Sequence, residues 1–468
     1  MMQITYFISL LVYTALLLLV SFLFSRRMKN IEDFFLAGRK LPGFLVFLSL
    51  TASWIGATST LVSVDEAYGN GLSSFWIMGF PAIATVLIFA FFLSSRIRRL
   101  PIVSLPDLVE MRYGKIVRHM ASALIVWYMV VLASSQMVAA GRFLGQFIGI
   151  TYLQGLLLGI GVVLIYSVLG GFFSIVITDG FQFFCMAAGI LGLLFFLLGS
   201  YSFSDVCFLS QSLGKAEYFN IFYDCGRNFL VFISFTLAWI ISPIAWQRIQ
   251  SARNEKSAKK GLLASSASFF LFYGAVVLIG IFSLALFSSA DQEGPILSVI
   301  ISSNSGYLLG TILFIAVTAA LMSTMDTAIN TGALSLTRDV YQQIFQKEKS
   351  KQVVLISRGA TILVGGLAFL IATRLQSILA TLGLASEIMC VGFFIPGIAM
   401  LYSEKRRPFA GGLSLSLGGL YSLIGFLSST GFIHLKWPEW PYSVPLGLGI
   451  SGSSFVVGLI IDRRNESF

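Results

Sequence analysis

The sequence predicts an all-α polytopic membrane protein of about 13 transmembrane helices built on an inverted five-helix repeat. Three observations carry that expectation. Apolar runs of roughly 20 residues recur from end to end, the length a helix needs to cross a bilayer. The chain of 468 residues is 57% hydrophobic and only 11% charged, against about 25% charged in soluble proteins. Two of the apolar runs are interrupted, and they lie five segments apart.

The segments run at roughly 4–24, 43–67, 72–95, 119–148, 153–169, 175–199, 228–248, 262–287, 308–336, 353–373, 376–402, 410–433 and 444–461. The first is not a cleavable signal: MMQ brings no positive charge, and the cluster Arg26-Arg27-Met28-Lys29 follows the helix instead of preceding it. Basic residues then collect in alternate loops. These include Arg39 and Lys40, Arg96 to Arg118, Arg248 to Lys260, Arg338 to Arg358 with Lys347 and Lys349, Lys405 to Arg407, and the tail. Of the 31 Lys and Arg, only Arg142, Lys215, Arg227, Arg374 and Lys436 fall on the other side. The positive-inside rule puts the N-terminus outside and the C-terminus in the cytoplasm. The net charge of +10 is thereby explained by topology, and nucleic acid is dropped as a partner.

Segment two is dense in Ser, Thr, Gly and Ala from Thr51 to Thr60, and segment seven carries Pro243. Five segments apart, the two run in opposite directions. Paired interruptions of this kind mark inverted repeats with a binding site near the midplane. A lone Pro would mean only a kink, and small residues alone only close packing. The organisation expected is an extra helix (1–30), a first repeat (31–200, segments 2–6), a second repeat (201–403, segments 7–11) and two C-terminal helices (404–468).

Polar residues inside apolar runs are the candidate functional groups. Segment nine carries Ser323, Thr324, Asp326, Thr327 and Asn330 within Thr318 to Tyr341. A carboxylate at that depth is costly and faces a partner or a wet cavity. Hydroxyls beside a carboxylate suit a hard cation, although Ser and Thr also bond back to their own helix. Asp179 in segment six reaches a depth similar to Asp326, about twelve residues before Arg338. Glu387 lies about 16 Å along segment eleven. The four cysteines form no metal pattern, and Cys207 and Cys225 share one outer loop where a disulfide would close if that side is oxidising. Neither His119 nor His434 is placed for chemistry, and there is no phosphate loop or nucleophile elbow. The chain therefore reads as no enzyme.

Four stretches resemble the sodium:solute symporter family of proline, pantothenate, sialic acid and sugar transporters. They are DFFLAGRKLP with LTASWIGATST, YSVLGGFFSIVITDGFQ, PIAWQRIQSAR and ALMSTMDTAINTGALSLTRDVY. The resemblance implies a leucine-transporter-like core. It implies a main sodium site from the carbonyls of Ala52, Ile55 and Ala320 and the hydroxyls of Ser323 and Thr324. A second cation site would use Asp179, Ser323, Asp326 and Thr327. The solute pocket would be lined from segments 2, 3, 7 and 11 by Ser59, Phe75, Trp76, Met78, Thr236, Trp239 and Glu387. The sugar branch's polar positions fall here at Ser59, Met78 and Phe235, and the proline branch's aspartate at Trp54, so this chain departs from both. An apolar pocket favours an amino acid or a monocarboxylate over a sugar. The function expected is sodium-coupled secondary active symport of a small organic solute by alternating access, in the plasma (cell inner) membrane. A proton-coupled transporter of the same fold and a solute-binding membrane sensor are the alternatives, the sensor disfavoured by the short tail after Ile461. Sodium, the solute and the lipid bilayer are the partners expected, with oligomeric state left open.

Overall fold

A computed structural model of the chain describes residues 2–25, 36–170, 172–287, 294–303, 306–345 and 350–466. Among the positions singled out from the sequence, Met1, Arg26, Arg27, Met28, Lys29, residues 33–35, Gly171, Lys347 and Lys349 lie outside them. The described residues are helical almost throughout, with one isolated bridge between Leu41 and Ala252.

The helices are α1 (Met2–Ser25), α2 (Gly43–Trp54), α3 (Ser63–Asn70), α4 (Gly79–Ile88), α5 (Ser94–Arg99), α6 (Leu105–Tyr113), α7 (Lys115–Ile148), α8 (Tyr152–Gly170), α9 (Phe172–Ser200) and α10 (Phe203–Ser212). There follow α11 (Cys225–Ile240), α12 (Pro243–Ser251), α13 (Glu255–Leu286), α14 (Ile296–Ser303), α15 (Gly306–Leu334), α16 (Ser350–Ala372), α17 (Ile378–Gly392), α18 (Phe394–Tyr402), α19 (Pro408–Ser429) and α20 (Val444–Glu466).

Among the described residues nine helices are long and apolar enough to cross a membrane, or up to 11 if the bent pairs α11–α12 and α17–α18 each count as one span. The count of about 13 is thus not reproduced by length and composition. The reason is local. The break after Trp54 leaves α2 only 12 residues long, and Tyr152–Val168 is also apolar but short.

The core lies around α7 and α15, which are buried along most of their length. α15 packs between α7 and α9, and α13 packs on α2 and α3. Helices in lipid approach closely through small residues, and Gly189 and Gly280 are among the positions that require it here. A Cβ on Gly189 would stand 2.4 Å from the Ala316 Cβ, and one on Gly280 would stand 2.6 Å from the Val64 carbonyl oxygen.

Away from the basic loops, α3 ends at Gly71, whose φ of +67° turns the chain. Three carbonyls at that helix end are covered by the loop after α10. Lys215 Nζ donates to the Tyr68 and Gly69 oxygens at 2.8 and 3.2 Å, and the Tyr218 hydroxyl donates to the Ala67 oxygen at 3.0 Å. A cation there also meets the negative end of the helix dipole. Leu72 N–H returns a bond to the Tyr218 oxygen at 2.9 Å. The thiols of Cys207 and Cys225 in the same region are free, so the disulfide their spacing suggests is not formed.

On the basic side, charges expected in solvated loops form a buried knot. Arg118 is 4% exposed and bonds Asp107 at 2.8 Å, Asp339 at 3.2 Å and Glu110. Arg338 joins Asp107 at 3.0 Å, and the Ser104 hydroxyl donates to Asp339 at 2.6 Å. Burial alone would raise the Asp107 carboxyl; Arg338 above all, then the Val103 N–H and Arg118, outweigh it and hold the group below the usual carboxylate range.

Because the folded value lies below the unfolded one of about 3.9, this stabilisation is present above that pH and is lost as pH falls through the folded value. Asp107→Asn should therefore cost about 1–3 kcal/mol at neutral pH by orphaning buried partners. Thermal melting in detergent should show the wild type losing more stability on acidification below about pH 4 than the variant. Parallel losses would exclude Asp107 as the acid-sensitive group.

Candidate cation and solute site

The site begins where α2 fails. Ile55 has φ −86° and ψ 94°, outside the helical region, although its N–H still reaches the Thr51 oxygen. The chain resumes at Ala57 and passes through a π-turn, Thr58–Val62, before α3. Such a break removes i+4 donors from the preceding carbonyls, which must find other partners in a membrane core. The Ser323 hydroxyl supplies one: it lies 2.9 Å from the Ala52 oxygen and 3.1 Å from the Ala320 oxygen of its own helix. Cross-helix bonding and back-bonding therefore occur in the same hydroxyl.

Thr324 Oγ1 is buried without a hydrogen-bond partner. A Cβ on Gly56 would stand 2.8 Å from it and 2.6 Å from Gln136 Oε1. Gln136 Oε1 accepts the Ala57 N–H at 2.8 Å and so holds the start of the resumed helix. Ala52, Ala320, Ser323 and Thr324 are thus brought together, with Ile55 and Gly56 at the break beside them. Gln136 was missed, although an amide in the middle of the apolar run 119–148 is itself a signal.

The second set forms a larger polar group on the basic side of the first. Asp179 Oδ2 accepts Ser49 at 2.6 Å and Ser53 at 3.2 Å, with Arg248 Nη2 at 3.5 Å. Arg248 Nη2 also donates to Ser53 at 2.7 Å and to Thr327 Oγ1 at 3.0 Å. Its guanidinium lies 5.1 Å from the centroid of the Phe172 ring, a favourable seat for a desolvated cation. Asp326 turns elsewhere and accepts the Tyr166 hydroxyl at 2.7 Å. Asp179 Oδ1 and Asp326 Oδ1 are both buried without partners. Of the four residues expected to form a second cation site, Asp179 and Thr327 are joined through Ser53 and Arg248, Asp326 lies beside them bonded to Tyr166, and Ser323 serves the break.

Arg248 was counted with the basic loops and is instead 1% exposed. The cause is Pro243, which starts α12 after the Ile241–Ser242 break and carries the following residues back into the core. Ser49, Ser53 and Tyr166 were missed with it.

A cavity of about 40 Å³ lies against the break, walled by Trp54, Gly56, Tyr128, Gln136, Trp239 and Thr324. Of the expected pocket residues, Ser59, Met78 and Trp239 line it. Ser59 is already engaged with the Trp54 oxygen and the Tyr273 hydroxyl, at 3.1 and 2.8 Å. Trp54 and Trp239 meet at a centroid distance of 5.3 Å. Phe75, Trp76, Thr236 and Glu387 do not line it. Phe75 packs on Phe80, Trp76 donates to the Ile221 oxygen at 2.9 Å, and Thr236 is buried with its hydroxyl unpartnered. Glu387 accepts Ser443 at 3.0 Å and so faces the C-terminal helices.

Away from the basic side a cavity of about 740 Å³ opens beyond the small one, and on the basic side a cavity of about 20 Å³ lies between Val103, Trp246 and Asp339.

Removing one member of a buried ion pair strands the other, at about 3–5 kcal/mol, whereas removing both costs far less. Arg248→Met alone should therefore lower stability by about that amount, and Asp179→Leu/Arg248→Met should recover much of it. Melting of the two single variants and the double variant measures the coupling; additive losses would mean that the pair does not interact.

A model of the sodium:solute symporter family matches residues 34–405. The human sodium/iodide cotransporter is 27% identical over 422 residues, covering 83% of this chain and 65% of that protein, just under two thirds of its length. The osmoregulated proline transporter OpuE of Bacillus subtilis is 25% identical over 491 residues, covering 96% of this chain and 95% of that one. The high-affinity choline transporter 1 of Drosophila melanogaster is 24% identical, covering 88% and 69%. The fold matches the substrate-bound outward-open state of a sodium-coupled sialic acid symporter with a TM-score of 0.79 at 20% identity, over 98% of this chain and 97% of that one. With the matched segment spanning most of its length, this chain belongs to the sodium:solute symporter family, a family of transporters and not of enzymes.

Proposed function

We propose that this chain is a sodium-coupled secondary active symporter that imports a small organic solute by alternating access. One observation carries the proposal: Ser323 bridges the Ala52 and Ala320 carbonyls while the adjacent Thr324 hydroxyl is buried without a partner. Together with the Ile55 carbonyl at the break these are hard, neutral oxygens, the donor set that suits a small hard cation. Sodium is the ion we assign to them. The Asp179 group supports a second cation, sodium or proton. Two buried carboxylates stand there against one guanidinium, and each keeps one oxygen unpartnered.

The short helices α2 and α8 complete a reading of 13 crossings, with α2 to α9 and α11 to α18 as the two inverted halves. The basic face is then cytoplasmic, the N-terminus outside, and the protein multi-pass in the plasma membrane. On that orientation the wide cavity opens outward. The small cavity, walled by tryptophans and a few polar groups, is the solute site. It favours an amino acid or a monocarboxylate over a polyol, whose hydroxyls would each need a partner. Sodium and solute must tighten each other's binding by one common factor.

Uptake of a panel of amino acids and monocarboxylates into proteoliposomes, with sodium and proton gradients imposed separately, tests the proposal. Sodium-driven accumulation is expected; accumulation driven by protons alone would replace sodium, and binding without accumulation would favour a sensor. Ser323→Ala and Thr324→Ala should each raise the half-saturating sodium concentration about tenfold, equivalent to roughly 1.4 kcal/mol, with membrane insertion intact. Unchanged sodium dependence in both variants would remove the assignment.

A further inference from the structure

The small cavity at the break holds about 40 Å³, room for a few water molecules and far below the roughly 300–1,000 Å³ of a ligand site. An organic solute enters it only if a wall retreats, and a close-packed wall retreats only where something behind it gives way. Two of its wall residues share one support. They are Trp239 on α11 and Leu382 on α17.

The support comes from the chain between α19 and α20, which folds back into the bundle. The Tyr421 hydroxyl donates to the Ser443 oxygen at 2.9 Å. The start of α20 is therefore level with Tyr421, about eight residues or 12 Å short of the end of α19. Ser443 also donates to Glu387 at 3.0 Å, and Ser428 donates to the Leu435 oxygen at 2.8 Å. This fold-back carries Trp440 between α11 and α17. Its Nε1 donates to Ser234 on α11 at 2.9 Å. Its ring lies so close to α17 that a Cβ on Gly383, next to Leu382, would stand 2.5 Å from it. The same ring meets Phe235 at a centroid distance of 5.2 Å, and Phe235 stacks on Trp239 at 5.1 Å with the planes 16° apart. One row of rings thus runs from the break through Trp54, Trp239 and Phe235 to Trp440. Phe235 is fully buried, so Trp239 can retreat along that row only as far as Trp440 allows.

We propose that Trp440 is a specificity-determining positioning residue: by backing Phe235 and Gly383 it limits how far Trp239 and Leu382 can retreat, and so sets the largest solute the site admits. The inference rests on the small cavity being the solute site and deepens that reading. Trp440 does not wall the cavity; it acts through Phe235 and Trp239. A smaller side chain at this position lets the row relax, and bulky solutes gain more from that than small ones. A residue that merely held helices together would affect all solutes alike.

Sodium-driven uptake into proteoliposomes by wild type, Trp440→Phe and Trp440→Ala tests it with two series graded by size: L-alanine, L-proline and L-phenylalanine, and acetate, butyrate and phenylacetate. Within the series that accumulates, the ratio of kcat/KM for the largest solute to that for the smallest should rise at least tenfold in Trp440→Ala and by less in Trp440→Phe. An unchanged ratio, including a uniform loss of rate, overturns the proposal. No accumulation in either series by any of the three proteins overturns it together with the symport reading. Fluorine NMR of the full chain labelled with 5-fluorotryptophan reads the wall without any solute. The Trp239 resonance, assigned by its loss in Trp239→Phe, should move in Trp440→Phe and hold in Trp437→Phe, whose ring packs on Tyr421 instead. A Trp239 resonance that ignores Trp440→Phe, or moves equally in both variants, also sinks the idea. Trp239→Ala separates the two readings when the Trp440 variants leave the ratio unchanged. If Trp239→Ala alters the ratio, the solute site stands and only the backing role has failed; if it does not, the solute-site reading has failed as well.

Discussion

A bilayer offers no water to a bare carbonyl, and this structure depends on that constraint at one point, the break between Trp54 and Ala57. A regular helix would satisfy its own backbone and present nothing to a neighbour. By giving up regular geometry at Ile55, the chain frees oxygen atoms inside a low-dielectric interior. They must then be answered from α7 and α15. Gln136 answers the N–H side and Ser323 answers the carbonyl side. Gly56 keeps the space between open, since any side chain there would collide with Gln136 and Thr324.

The charges buried nearby follow from the same arithmetic. Arg248 would be prohibitive in lipid alone, so it is surrounded by Asp179, Ser49, Ser53, Thr327 and the Phe172 ring. Those partners come from three helices and Arg248 from a fourth. The pair therefore does more to fix how α2, α9, α12 and α15 meet than to stabilise them, because desolvation offsets most of the attraction. The Arg118 knot plays the corresponding part at the basic face, joining α6, α7 and the end of the α15 segment.

Much of this was legible because hydroxyls and carboxylates are conspicuous in apolar runs. Ser323, Thr324 and Asp179 stood out for that reason, and the break was visible in the small residues of segment two. Depth, however, is not direction. Glu387 carried the same signal as Asp179, yet its helix turns it toward Ser443, and a sequence gives rotation about a helix axis only through a clear apolar stripe. Arg248 was hidden by position, being the first of several basic residues; only the re-entry of α12 separates it from the solvated Arg253 and Lys256. Phe75 and Trp76 were chosen as pocket aromatics, but aromatics are so frequent here that their type carried little information. The helix count suffered from the feature that made the break legible, since an interrupted crossing fails a test of length.

The clasp of Lys215 and Tyr218 on the end of α3 bears on how the break could be reached from the face opposite the basic one. Phe222 and Tyr223, a few residues farther along the same loop, are well exposed, while the clasp itself is tied to the carbonyls of the half-helix that leaves the break. An antibody fragment gripping that loop would hold the half-helix by proxy. A molecule too large to enter any cavity would thus be tied to the break through the way one helix ends.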